Sequence, residues 1–301
     1  MKKKYNRGII LVIVLLICTQ QVQWFNDPLV PIYDINEVDP EFYPLLQACN
    51  NTGVPLQYEI SNYVPIARKL NELEKDKISA CLRRDLEMEH KNSWDAFFTN
   101  NAENIRWDAH TYLNSDSIVM EVGGNIGMMS DHIQTLYRPR KYIILEPIAE
   151  FYNVLVDKYA DMSNIAVLNF GLASEDRTDF VQIDGGSTSR FLPNNLPDKD
   201  SEPLRQVNAT DFFLSMAVGF FEVDLLTINC EGCEYEVLDS LLDSNLINNI
   251  HHVQISFHHI NGLGNTLERW CQYQQLLSRT HRLMYQYPLF WESWARKDLQ
   301  Q

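Results

Sequence analysis

The sequence is poor in cysteine, in cations and in long apolar runs. Six Cys in 301 residues are too few for a small disulfide scaffold. Lys and Arg number 25 against 40 Asp and Glu, a net charge of −15. That deficit argues against a nucleic-acid partner, because phosphate binding needs clustered cations. Only one stretch is strongly apolar, which excludes a polytopic membrane protein. No internal repeat or low-complexity block is present. The 45% of hydrophobic residues excludes a fully disordered chain, and the length fits one large domain or two modest ones.

The charge is unevenly placed. Lys2, Lys3, Lys4 and Arg7 precede any acid, so from Trp24 onward 21 cations face all 40 acids. Between these parts lies the uncharged run 8–18, GIILVIVLLIC. A cationic start before such a run matches a secretory signal or a signal-anchor. Continued through Phe25 it reaches about 18 residues, near the lower limit for a spanning helix, with the basic flank cytosolic. Cleavage near Cys18 and burial as an N-terminal helix are the competing readings, and Leu16 suits cleavage poorly. The expectation is therefore a single-pass type II membrane protein of the secretory pathway, in the Golgi or ER lumen, with a secreted protein as the alternative. Five Cys then lie beyond the anchor: Cys49, Cys81, Cys230, Cys233 and Cys271. Cys49 with Cys81 is the expected local pair. Asn50 and Asn208 open Asn-x-Thr triplets, glycosylated only if luminal and exposed, and otherwise chance.

Three regions follow: 1–25, the basic flank and anchor; 26–107, a Pro-rich stem and helical segment; and 108–301, an α/β domain. Pro28, Pro31, Pro40, Pro44, Pro55 and Pro65 mark the stem. Apolar residues at helical spacing predict helix over 66–88. Strands are expected at 117–122, 141–145, 164–170, 222–229 and 252–257. Helices are expected at 128–136, 149–159, 234–242 and 267–278. The alternation implies a mainly parallel sheet flanked by helices. The Gly-, Pro- and Ser-rich segment 185–205 reads as a long loop over one sheet edge.

The sharpest motif is Glu121-Val122-Gly123-Gly124-Asn125-Ile126-Gly127, at a strand-to-helix junction. Glycines there permit a tight turn and close approach of a ligand. Glu146 ends the second strand, where a carboxylate of a doubly wound sheet faces the ribose of a nucleotide. The third glycine of a pyrophosphate-binding turn is missing. The pattern therefore favours a phosphate-free nucleoside, and S-adenosylmethionine is the candidate. A later run, Leu226 to Leu238, carries Cys230-Glu231-Gly232-Cys233-Glu234 between a strand and a helix.

Together these segments resemble the FkbM family of S-adenosylmethionine-dependent methyltransferases over about residues 108–290. The resemblance rests on Glu121, Gly123, Asn125 and Gly127; on Glu146-Pro147; and on Ile228, Glu231, Gly232, Glu234, Val237 and Leu238. It implies a Rossmann-like methyltransferase fold, with Glu121, Gly123, Asn125, Gly127 and Glu146 holding the cofactor. It departs from the family at Glu121, an Asp there, and at Thr227 and Asn229, a Lys and an Asp there. The implied reaction is methyl transfer to an oxygen, with Glu231 and His258 as catalytic candidates; the secretory placement, not the resemblance, makes a glycan hydroxyl the first expected acceptor and a small-molecule or lipid hydroxyl the second. A His suits proton transfer by its ordinary pKa. A protein that binds without turnover, motivated by Thr227 and Asn229, is the rival reading. His259 is a weaker candidate, and His251 and His252 are expected in a loop. Cys230 and Cys233 are expected as a structural disulfide or packed thiols rather than a redox centre. No zinc site is expected, because no second Cys pair exists. Trp291 and Trp294 either line an acceptor pocket or close the domain by packing.

Overall fold

A computed structural model describes residues 69–99, 102–191, 201–216, 218, 219, 221–260 and 263–299. The expected anchor, the Pro-rich stem, Cys18, Cys49 and the Asn50 triplet lie outside the described residues. The described residues from 69 to 212 and from 222 to 299 belong to one compact unit, and those within 213–221 group outside it. The latter include the end of one short helix and a bridge between Val218 and Phe221.

The larger unit is built on a seven-stranded sheet. Its strands are β1 (Ile118–Val122), β2 (Lys141–Leu145), β3 (Ile165–Leu168), β7 (Val223–Ile228), β8 (Ile250–Ser256), β9 (His281–Tyr287) and β10 (Trp291–Arg296). The spatial order is β3-β2-β1-β7-β8-β10-β9. The first five are parallel, and β10 runs antiparallel between β8 and β9. Every residue of Lys-Tyr-Ile-Ile-Leu in β2 is buried, as expected where helices cover both faces of a parallel sheet. The helices are α1 (Glu72–Leu82), α2 (Leu86–Thr99), α3 (Ile105–Asp108), α4 (Met128–Leu136), α5 (Ala149–Tyr159), α6 (Ala209–Ser215), α7 (Glu234–Asp243) and α8 (Thr266–Thr280). Leu155 and Tyr159 of α5 and Ile133 of α4 pack on Val119, Tyr142 and Ile144. The expected α/β architecture, a mostly parallel sheet flanked by helices, is thus observed.

The sequence expectations need correction at several points. Segment 185–205 is not one loop: it carries a short 3-10 turn at Gly185–Ser187, and β6 (Ser201–Asn208) begins inside it. With β4 (Gly171–Ala173) and β5 (Arg177–Gln182), β6 makes a separate three-stranded sheet in the order β4-β6-β5. Pro203 disguised this strand; it is tolerated opposite Phe180, while Leu204 turns inward onto Ile148 and Val181. His251 is a strand residue of β8, not a loop residue, and so is His252, as the expected strand 252–257 but not the loop reading had it. His251 lies between Asp224 and Glu222, and His252 stacks on Tyr112. Cys81 pairs with Cys271, not with Cys49. The sequence separation of 190 is bridged because α1 packs on α8, where Arg279 also grips Glu74 through both carboxylate oxygens, at 2.8 and 2.7 Å. The side chain of Asn208 is occupied as well: it donates to the Ser174 carbonyl and accepts from the Asp211 amide, which favours the chance reading of its triplet.

The placement as a type II single-pass membrane protein is also overturned. Among the described residues no helix is long and apolar enough to cross a membrane. The longest, α8, has 15 residues and spans roughly 22 Å against about 30 Å of hydrocarbon. Run 8–18 itself lies outside the described residues, and the Golgi or ER assignment built on it is withdrawn.

Candidate active site

The order in which strands are added to the sheet reverses at β1. From β1 the chain steps outward through β2 to β3, then returns to β7 on the other side and continues to β8. Such a switch point leaves a crevice at the carboxyl ends of the strands. A cavity of about 240 Å³ opens there. It is lined by the turn after β1, by Glu146 to Ile148 after β2, by Gly171 and Leu172, and by Asn229 to Glu231 after β7.

The turn after β1 owes its glycines mainly to packing. Gly123 has φ of +92°, and a Cβ there would sit 1.9 Å from the Asn229 carbonyl oxygen. Gly127 has φ of +83°, and its Cβ would meet the Tyr159 hydroxyl at 2.7 Å. The expected reason, room for a ligand, is therefore secondary to close approach of β7 and α5. Asn125 also adopts a left-handed φ of 46°, which Asn tolerates better than most residues, and it faces the cavity.

Glu146 is 4% exposed. One oxygen accepts from the Asn125 amide at 2.7 Å and the other from the Ile148 amide at 2.8 Å. A carboxylate has about four acceptor sites, so each oxygen keeps one lone pair for a ligand hydroxyl. Burial raises its pKa to about 7 despite the two amides. Glu121 is more enclosed. Its carboxyl accepts from the Tyr142 hydroxyl at 2.8 Å, and burial raises its pKa to about 8, with the nearby Glu146 charge adding to the rise. Glu121 is thus largely protonated at neutral pH.

The sign for stability follows. Both carboxyls bind more protons folded than unfolded between about pH 4.5 and 8, so they lower stability as pH rises through that window. Glu121→Gln mimics the neutral form. The variant is expected to match wild type near pH 5 and exceed it near pH 8.5 by on the order of 2 kcal/mol. Denaturant titrations at the two pH values check this; an equal difference at both would contradict it.

Glu231 and His258 come together although 27 positions apart. Glu231 has φ of 53° and Gly232 φ of 111°, between Cys230 and Cys233, which form a disulfide. Ser189 Oγ donates to the Glu231 carbonyl at 2.6 Å, holding the turn. The His258 ring lies between two carboxylates, with Nε2 3.0 Å from Glu231 and Nδ1 3.1 Å from the fully buried Glu234. Burial alone would lower the His258 pKa, but the Glu234 charge and the bonds to both carboxylates raise it to about 10. His258 is therefore an imidazolium at neutral pH. In that form both ring N–H groups face carboxylates, Nε2 toward Glu231 and Nδ1 toward Glu234. Glu231 lines the cavity. His259 instead bonds the Thr266 hydroxyl at the start of α8. Thr227 lines the cavity and accepts from Gln254 at 3.3 Å.

Several lining residues were missed in the sequence. Arg106 and Trp107, on α3, fall before the expected domain start at 108. Ser189, Arg190 and Phe191 fall in the segment read as loop, whose length and glycines were the available signal for a cover over a site. Trp291 lines the cavity from the first residue of β10, beside Ser256. Trp294 does not, and its indole donates to Glu292 at 2.9 Å. Trp291 also packs on Phe97 and Phe290, so packing describes both residues and only Trp291 reaches the cavity.

No family model matches the chain, and no curated protein matches its sequence. Solved structures similar to it include methyltransferases. Methyltransferase FkbM from Methylobacillus flagellatus is 14% identical, with a TM-score of 0.41, over 60% of this chain and 44% of that one. An rRNA methylase from Streptococcus thermophilus is 10% identical, with a TM-score of 0.38, over 62% and 93%. TrmK of M. capricolum, solved with the cofactor product S-adenosylhomocysteine, is 10% identical, with a TM-score of 0.31, over 62% and 66%. The present chain thus spans less than half the length of the first.

Proposed function

We propose that this protein is an S-adenosylmethionine-dependent methyltransferase acting on a hydroxyl. The observation that carries the reading is Glu146: a buried carboxylate at the end of β2, at the switch-point cavity, with one lone pair on each oxygen left for a diol. The residues present fit the cofactor. Glu146 would take the ribose hydroxyls, Ile148, Phe151 and Leu172 the base, and the turn of Gly123 to Gly127 the middle of the molecule. S-adenosylmethionine supplies a methyl group made electrophilic by its sulfonium. What remains for the protein is alignment and removal of a proton.

Glu231 takes that part. One of its oxygens is held by His258, and the carboxylate faces the cavity, where it accepts a hydrogen bond from the acceptor hydroxyl and then its proton. The imidazolium of His258 keeps the Glu231 side chain aimed, so His258 is a positioning residue. A glycan hydroxyl is one member of the acceptor class, and small-molecule hydroxyls are the others.

The test is transfer of a labelled methyl group from S-adenosylmethionine to a panel of sugar, small-molecule and RNA acceptors. Label in a base-stable ether is the expected result; label confined to nitrogen, or no transfer, contradicts O-methylation. On the responding acceptor, Glu231→Gln should lower kcat about 10²- to 10⁴-fold with S-adenosylhomocysteine affinity nearly unchanged.

A further inference from the structure

Five charged side chains line the cavity: Arg106, Glu121, Glu146, Arg190 and Glu231. Four of them are settled by their surroundings. Glu121 is largely protonated, Glu146 is held by two amides, and Glu231 is paired with His258. Arg190 is paired with Glu236 at 2.8 Å and lies 3.4 Å from Asp179. Arg106 is the exception among the described residues. Its Nε donates to the Glu103 carbonyl at 3.0 Å. Its nearest carboxylate, also of Glu103, is 3.7 Å away and 42% exposed, too long and too wet to neutralise it. Meanwhile the guanidinium is stripped of much of its water by rings. It lies 4.8 Å from the Trp107 ring centre and 5.7 Å from those of Phe97 and Trp291.

A guanidinium so placed is pre-oriented by the aromatic faces and keeps donors for a planar anion. It also sits beside the start of α4, with Nη2 4.0 Å from Met128 Sδ. Glu146 lies at the β2 end of the cavity, and Trp291 at the β10 end, across the β1–β7 switch. A nucleoside held by its ribose at Glu146 would extend its 5′ substituent toward Arg106.

We infer that Arg106 is a carboxylate-binding residue of this cavity, an assignment that rests on the nucleoside reading above. Two sources can supply the carboxylate: the amino-acid end of the cofactor, or an acid group on the acceptor. Carboxylate on Arg forms two parallel charge-assisted bonds, whereas Lys offers a point charge.

Calorimetry on the full chain separates the sources. The probes are S-adenosylhomocysteine, 5′-methylthioadenosine, which lacks the amino-acid end, and glucuronate titrated into protein saturated with S-adenosylhomocysteine. If the carboxylate is the cofactor's, Arg106→Gln weakens S-adenosylhomocysteine roughly ten- to hundred-fold and leaves 5′-methylthioadenosine unchanged. That unchanged probe also shows the variant to be folded, and Arg106→Lys should fall between. If the carboxylate is the acceptor's, both nucleosides bind the variant as they bind wild type, and glucuronate binding disappears. Arg106 is overturned if neither probe's affinity depends on it. Should wild type bind no nucleoside, the functional reading fails separately, and glucuronate titrated into the free protein still decides for or against Arg106.

Discussion

Replacing Cys81 and Cys271 together by Ala should lower the melting temperature by roughly 10 °C. The disulfide joins α1 to α8 across 190 residues of sequence. In the chain-entropy account, closing so long a loop constrains the unfolded chain by about 5 kcal/mol, and strain or residual structure commonly reduces the realised value to about 3. Each kcal/mol shifts the midpoint of a domain this size by about 2–4 °C. The Cys230–Cys233 link, with a separation of 3, closes so short a loop that the same relation gives only about 2 kcal/mol. Its removal should therefore cost less stability. The ion pair of Glu74 with Arg279 does not replace the covalent link. It is strong for its kind, since the Arg279 bonds hold the Glu74 carboxyl down to about 2, but it leaves the unfolded chain unconstrained. Thermal scans of the two double variants check the ranking. Equal midpoints for wild type and the Cys81/Cys271 variant would contradict it, as would peptide mapping that links Cys81 to Cys49.

Glu146→Ala should weaken S-adenosylhomocysteine binding at least a hundredfold. Two charge-assisted bonds to ribose hydroxyls contribute about 1.5–3 kcal/mol each, so their joint loss is about 3 kcal/mol or more. The loss has a second component. Glu146 also holds the Asn125 and Ile148 amides, so its removal loosens the turn that shapes the cavity. Glu146→Gln should bind nearly as poorly, because the amide nitrogen would point a donor at one of those N–H groups. The pH dependence of wild type has a defined sign. Ligand hydroxyls donate to the carboxylate form, so affinity should fall as pH drops below about 7, where Glu146 takes up a proton. Affinity that rises on acidification would contradict the role given to this residue.

How much of this was legible in the sequence depended on distance along the chain. The strands β1, β2 and β7 were readable because burial on both faces makes near-continuous apolar runs. The switch from those runs to helical spacing located α4, α5 and α7. The hairpin of β9 and β10 was not readable. β9 is half-buried without clean alternation, and Leu289, which turns the chain at a φ of 60°, is no turn residue by type. β6 was hidden by Pro203 and by the polar composition around it.

The site divides in the same way. Glu121, Gly123, Asn125, Gly127 and Glu146 are local to strand ends, and the structure brings all but Gly127 to the lining of one cavity, Gly127 packing on Tyr159 and Leu155 instead. What the sequence could not carry is the protonation of the groups. His258 owes its charge to Glu231 and Glu234, each more than 20 positions away. Glu121 owes its neutral form to burial at the inner end of the cavity, and a residue type does not encode that. Arg106 was invisible for a related reason: its aromatic surround is drawn from α2, α3 and β10.

The most direct measurement is a calorimetric titration of the full chain with S-adenosylhomocysteine near neutral pH, alongside Glu146→Ala. The account predicts one-to-one binding by wild type, displaced by S-adenosylmethionine, and loss of that binding in the variant. No binding by wild type, or binding that Glu146→Ala leaves intact, would contradict the nucleoside site at the switch point.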